Sequence, residues 1–371
     1  MGPGALLTRR SLLAAPFGAM AARLAAESVK GATLPLTSRR YSDPTTELDV
    51  FRLTEPSYVS TLPAHYNRAF TRNSTTLLFA SEREGTAQAF RMDLKTAEWR
   101  QLTDTEELDA ASLTFTPDNR SFAYFAGRSL SLSPLSSLHE RRLHEVAEGW
   151  ERTPGMSIGP DGTHALFAER RGEGSRLRMI PLARGEAATV TEAPFAISHP
   201  IARPMRAQIL FRQADQGLWL VDSGGRQKRQ LKLAPGLVGP ANWSTDGRTI
   251  LYLNLPEDRA QLNNIREYTP DTNTDRLIAK TSQYAHFGFN RDGSVFVGAS
   301  RNKGSPDILL LLRVTRREMT LCEHKSSQPA ETAPRFSPDS QRVFFQSDRD
   351  GKPAIYDVHV DELVAKTDAD R

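Results

Sequence analysis

Seven times along this chain a short strand runs into a tight polar turn and leaves it as an apolar strand. The phrase reads Phe70-Thr71-Arg72-Asn73 before Leu77-Leu78-Phe79, then Phe115-Thr116-Pro117-Asp118 before Phe122-Ala123-Tyr124. It returns as Ile158-Gly159-Pro160-Asp161-Gly162 before Ala165-Leu166-Phe167 and, eroded, as Ala202-Arg203-Pro204 before Ile209-Leu210-Phe211. Trp243-Ser244-Thr245-Asp246-Gly247, Phe289-Asn290-Arg291-Asp292-Gly293 and Phe336-Ser337-Pro338-Asp339 open the last three copies. Pro and Asp preset a tight turn, Gly takes the positive φ that other residues resist, and an apolar run bounded by turns suits a buried strand. Successive copies begin roughly 40 to 47 residues apart, the length of one four-stranded propeller blade.

The expected fold is therefore all-β, a seven-bladed β-propeller. The seventh copy has room for only three strands, ending at Ala354-Ile355-Tyr356-Asp357-Val358. Val50-Phe51-Arg52-Leu53-Thr54 supplies the missing one, closing the last blade with an N-terminal strand and removing two exposed edges. The organisation reads as an export signal over 1–26, a lead-in over 27–49, the propeller over 50–361 and a tail over 362–371.

The export reading rests on Thr8-Arg9-Arg10-Ser11-Leu12-Leu13 and the short apolar stretch after it. Paired arginines, a brief apolar region and small residues are the pattern of a twin-arginine signal, too short to span a bilayer. The expected location is periplasmic or extracellular. Removing 1–26 takes the formal charge from +4 to +1, so the basic balance belongs mostly to that segment. No basic run with interleaved aromatics marks a nucleic-acid face. A single cysteine, Cys322, excludes an intramolecular disulfide and reads as a small core residue.

No Gly-x-Ser-x-Gly elbow, phosphate loop, dinucleotide fingerprint or His-Glu-x-x-His is present, and no hydrolase domain is expected after the last blade. His139, His144, His164, His324 and His359 read as structural or surface residues. The informative places precede the turns, where innermost strands begin at a channel mouth. They are His65-Tyr66-Asn67-Arg68, His199 with Arg203, Gln283-Tyr284-Ala285-His286, and Gln328 to Ala333.

At these residues the chain resembles the oligogalacturonate lyases, the single-domain propellers of pectin breakdown. Tyr41-Ser42-Asp43-Pro44 with Arg52-Leu53-Thr54, His199-Pro200-Ile201-Ala202-Arg203-Pro204, the stretch from His286 to Gly298, and Gly351 to Tyr356 carry the likeness. It implies β-elimination on short oligogalacturonides, with a divalent metal, manganese, on the uronate carboxylate and a histidine as base. Carried over, the metal positions fall on His286, Gln328 and Glu331, with Ala333 at a fourth. The base position falls on Pro240 and the family's arginine on Gly217, with Arg212, Gln216 and Arg266 nearby. His199, Arg203, Tyr66 and Arg68 are the expected substrate contacts. Three functions stay open: a uronate lyase with a rebuilt site, a non-catalytic binder of acidic oligosaccharide, and a periplasmic propeller that binds a protein.

Overall fold

The computed structural model describes residues 30–361 and 363, apart from 36, 37, 97, 215, 259. The export segment 1–26 and nearly all of the tail lie outside the described residues. Seven antiparallel sheets, one per repeat, form the ring. In blade 4, for instance, the strands Ile197–Ala202, Gln208–Gln213, Gly217–Asp222 and Arg229–Gln230 pair in that order from the axis outwards.

In three of the seven copies the polar turn has one hydrogen-bond pattern. Thr116 Oγ1 donates to Asp118 Oδ1 at 2.6 Å and accepts from the Ser121 amide at 3.0 Å. Ser244 with Asp246 and Ser337 with Asp339 repeat this. The hydroxyl pins the turn while the carboxylate caps it, which is why the phrase recurs.

Between the turns the apolar strands pack blade on blade. The described residues form seven hydrophobic clusters, each spanning two neighbouring blades. Phe79, Phe90 and Trp99 of blade 1 meet Phe344 and Ile355 of blade 7, so the last interface of the ring is packed like the others. Each fully buried side chain of this size stabilises by about 1.5–3 kcal/mol relative to exposure.

Closure is as the repeat count requires. Asp49–Arg52 pairs antiparallel with Ala354–His359, with Val50 opposite Val358. The segment read as a lead-in does more than lead in. Arg39–Ser42 adds a fifth strand outside Asp49–Arg52, and Thr33–Pro35 adds a fifth to blade 1. Asp43 accepts from the Thr45 and Thr46 amides at 3.0 Å in the turn that joins Arg39–Ser42 to Asp49–Arg52. Cys322 is buried in the cluster between blades 6 and 7. Among the described residues no helix is long and apolar enough to cross a membrane.

Candidate functional site

Every blade is threaded alike, so the innermost strands run in one direction along the axis. Their starts ring one face and their turns the other. Blade 1 departs from this plan. After Ser60–Thr61 its inner strand breaks, and pairing resumes only at Phe70, opposite Leu77. The residues between cross the channel.

His65 Nε2 lies 3.1 Å from the carbonyl oxygen of Ala241 in blade 5. A carbonyl only accepts, so Nε2 carries the hydrogen and Nδ1 the lone pair. The His65 ring meets that of His286 in blade 6 edge-on, with centroids 5.1 Å apart. Tyr66 meets His199 in blade 4 at 6.0 Å. From blade 7, Arg335 Nη2 donates to Pro63 O at 2.6 Å, and Nη1 reaches Ala64 O at 3.5 Å. One loop thus gathers side chains of blades 4, 6 and 7 and a backbone carbonyl of blade 5.

Bulges in the inner strands help. Register shifts fall at Arg152/Met156, Ser198/Ile201, Val238/Ala241 and Tyr284/His286, and a bulge re-aims the side chain beside it. At Gly155, with φ +98°, a Cβ would stand 2.5 Å from His199 Cα and 2.8 Å from Tyr66 Oη. Only glycine lets Tyr66 and His199 approach there.

A cavity of about 480 Å³ lies against this loop. It is framed by inner strands and turns of blades 1, 5, 6 and 7. His65, Arg68, Arg72, Arg291 and Arg335 line it, and no Asp or Glu does. None of the four arginines is ion-paired with a carboxylate among the described residues. A larger hollow of about 860 Å³ between the turns of blades 5, 6 and 7 mixes Asp246, Glu267 and Asp292 with arginines, and is no match for a polyanion.

Burial and the neighbouring Arg335 push His286 down to about 3. Burial, then His286, hold His65 well below the usual imidazole range. Both rings are neutral at physiological pH. Burial also lowers Arg335, to about 10, which leaves it a full cation at neutral pH.

The expected substrate contacts divide. Tyr66 and Arg68 line the cavity, and His199 shares a small adjoining pocket with His65, Tyr66 and Arg212. Arg203 does not join them. It sits at the turn end of its strand, where Thr116, Ser244 and Ser337 stand in other blades. There it donates to both oxygens of Asp271 at 2.8 and 2.9 Å and to Gly247 O at 2.7 Å. Reading Arg203 with His199 overlooked that strand length puts them at opposite ends. The ligand mouth was expected at the strand starts, whereas the cationic cavity lies among the strand ends and turns.

The carried-over metal set is not assembled. His286 is buried and its Nδ1 has no hydrogen-bond partner, so one donor is available. Gln328 and Glu331 are exposed, flanking and ending the short 3-10 turn Pro329–Glu331. Among the described residues no three of His, Cys, Asp and Glu gather to hold a metal ion. The buried cation Arg335 stands beside His286 with no acid to offset it, and a second positive charge there is disfavoured. The residues do not fit a divalent ion.

The base and arginine positions are likewise vacant of chemistry in themselves. Pro240 lies in the inner strand of blade 5 and Gly217 opens the third strand of blade 4. Yet His65 bonds the carbonyl one residue beyond Pro240, and Arg212 donates to Val238 O in the same strand. Arg266 is held by Asp275 at 3.1 Å and Gln216 by Gln213 at 3.1 Å. Sequence reading placed His65 among the polar strand entries without a role of its own and missed Arg335, which only its place directly before Phe336 could have marked.

The model of the oligogalacturonate lyase family matches residues 28–173. An oligogalacturonide lyase of Pectobacterium atrosepticum is 25% identical, over 90% of this chain and 99% of that protein. Over most of its length the chain is similar to the oligogalacturonate lyases. The likeness extends to the Dickeya dadantii oligogalacturonate lyase at 24% identity, with the same coverage. A solved oligogalacturonate lyase in complex with manganese superposes with a TM-score of 0.85 at 25% identity, covering 91% of this chain and all of that one. The oligogalacturonate lyase structure from Vibrio parahaemolyticus, at 23% identity and a TM-score of 0.83, shares the fold.

Proposed function

We propose that the chain is exported by the twin-arginine route, binds short oligogalacturonides through their carboxylates, and cleaves them by β-elimination in a rebuilt site. The observation that carries this reading is the cavity itself: four unpaired arginines and no acid, with a neutral imidazole at the channel-crossing loop. Such a lining favours a chain bearing a carboxylate on every sugar.

The chemistry needs little else. His65 Nδ1 takes the C5 proton of a uronate. The C5–H electrons form the C4–C5 double bond, the C4–O bond breaks, and the departing oxygen takes a proton back from the imidazolium. An arginine on the carboxylate stabilises the charge that builds as the C5 proton leaves.

A second reading, a non-catalytic binder of acidic oligosaccharide, is favoured by Pro240, Gly217 and Ala333 standing at the family's base, arginine and ligand positions. Incubation with digalacturonate and trigalacturonate separates the two. Ultraviolet absorbance from an unsaturated product supports elimination, while saturable binding without product leaves only the binder. Absence of binding overturns both.

A further inference from the structure

The geometry points to Arg335 as the replacement for the divalent ion: its guanidinium takes a uronate carboxylate directly, so this chain binds oligogalacturonide without metal. The inference deepens the uronate reading and rests on it.

Arg335 follows Ala333 by two residues, and Ala333 stands where the resemblance places a metal ligand. The residue is 8% exposed. It is anchored by Pro63 O at 2.6 Å, with longer contacts of 3.5 Å to Ala64 O and Ala333 O. A guanidinium has five N–H donors, and one firm contact with two marginal ones leaves capacity for a carboxylate. No carboxylate of the chain uses it among the described residues. The three carbonyls belong to the channel-crossing loop and to the residues just before its own strand, so the group is held in place before ligand arrives and loses little freedom on binding.

A charge buried without a counter-ion is costly. Its retention next to His65 and His286, in a cavity lined with three further arginines, is understandable if an anion completes the pair. A planar fork matches a carboxylate through two parallel hydrogen bonds, which an ammonium cannot copy. A divalent ion would have to share this space with a fixed cation. The family's metal and Arg335 are alternatives, and this chain has Arg335.

The test is calorimetric titration of the full mature chain with trigalacturonate, in excess chelator and again with added manganese, with a neutral trisaccharide as control. Binding in chelator that manganese leaves within about twofold is expected. Arg335→Met should weaken it on the order of tenfold to a hundredfold, the worth of one charge-assisted contact. Arg335→Lys, which keeps the charge and is the safer variant for folding, should recover part of that loss but not all. Circular dichroism melting of both variants separates lost binding from lost fold. Binding by the wild type that appears only with manganese overturns this inference and leaves the uronate reading standing. Folded Arg335→Met or Arg335→Lys that binds like the wild type overturns it too. No binding of trigalacturonate under either condition overturns the inference together with the reading beneath it.

Discussion

His65 Nε2 donates to the carbonyl oxygen of Ala241 across the channel at 3.1 Å, joining blade 1 to blade 5. This puts an imidazole one residue from Pro240, where the resemblance places the family's base. Replacing His65 with Ala should lower kcat about 10²- to 10⁴-fold. Trigalacturonate affinity, measured by titration, should change only a few-fold. A variant that loses binding in proportion to turnover would make His65 a contact residue and not the base.

The N-terminal strand Asp49–Arg52 is the clasp of the last blade. Val50 is fully buried against Val343, Tyr356 and Val358, and among the described residues Ala354–His359 has no other outer partner. Truncation through Pro56 should expose that edge, lower the melting temperature and promote aggregation. An equal melting temperature for the truncated and mature chains would refute the clasp.

His324 gives a stability prediction with a definite sign. It is fully buried, with Nε2 donating to Ser300 O at 2.8 Å and Nδ1 accepting from the Ser326 amide at 3.0 Å. Burial lowers it below the ordinary imidazole value. The folded state therefore binds the proton less readily than the unfolded chain. Its contribution is present above about pH 6.5 and is lost as pH falls through the folded value. Melting temperatures at pH 7.5 and 5.5 should drop further for the wild type than for His324→Gln, and equal drops would contradict the account.

Export is tested at Arg9 and Arg10. Replacing both with Lys should hold the protein in the cytoplasm of its host, and normal export of that variant would refute the twin-arginine assignment.

The fold was legible because propeller order is local. The Ser/Thr-x-Asp turns at Thr116, Ser244 and Ser337 are fixed by bonds within five residues, and the apolar strand after each polar turn let all seven copies be counted in the sequence. The site is not local. His65, Arg335 and Ala241 meet only because a loop in blade 1 breaks its strand and reaches across the ring. No spacing records that. Arg203 was misplaced for the same reason: proximity in sequence to His199 put it at the far end of an extended strand, where Asp271 holds it.

Elimination on a uronate by this chain is expected to proceed without a bound metal. The most direct measurement is ultraviolet absorbance of trigalacturonate incubated with exhaustively chelated wild-type protein. A steady rise that His65→Ala abolishes is the predicted result. A flat trace that manganese converts into a rise would contradict it.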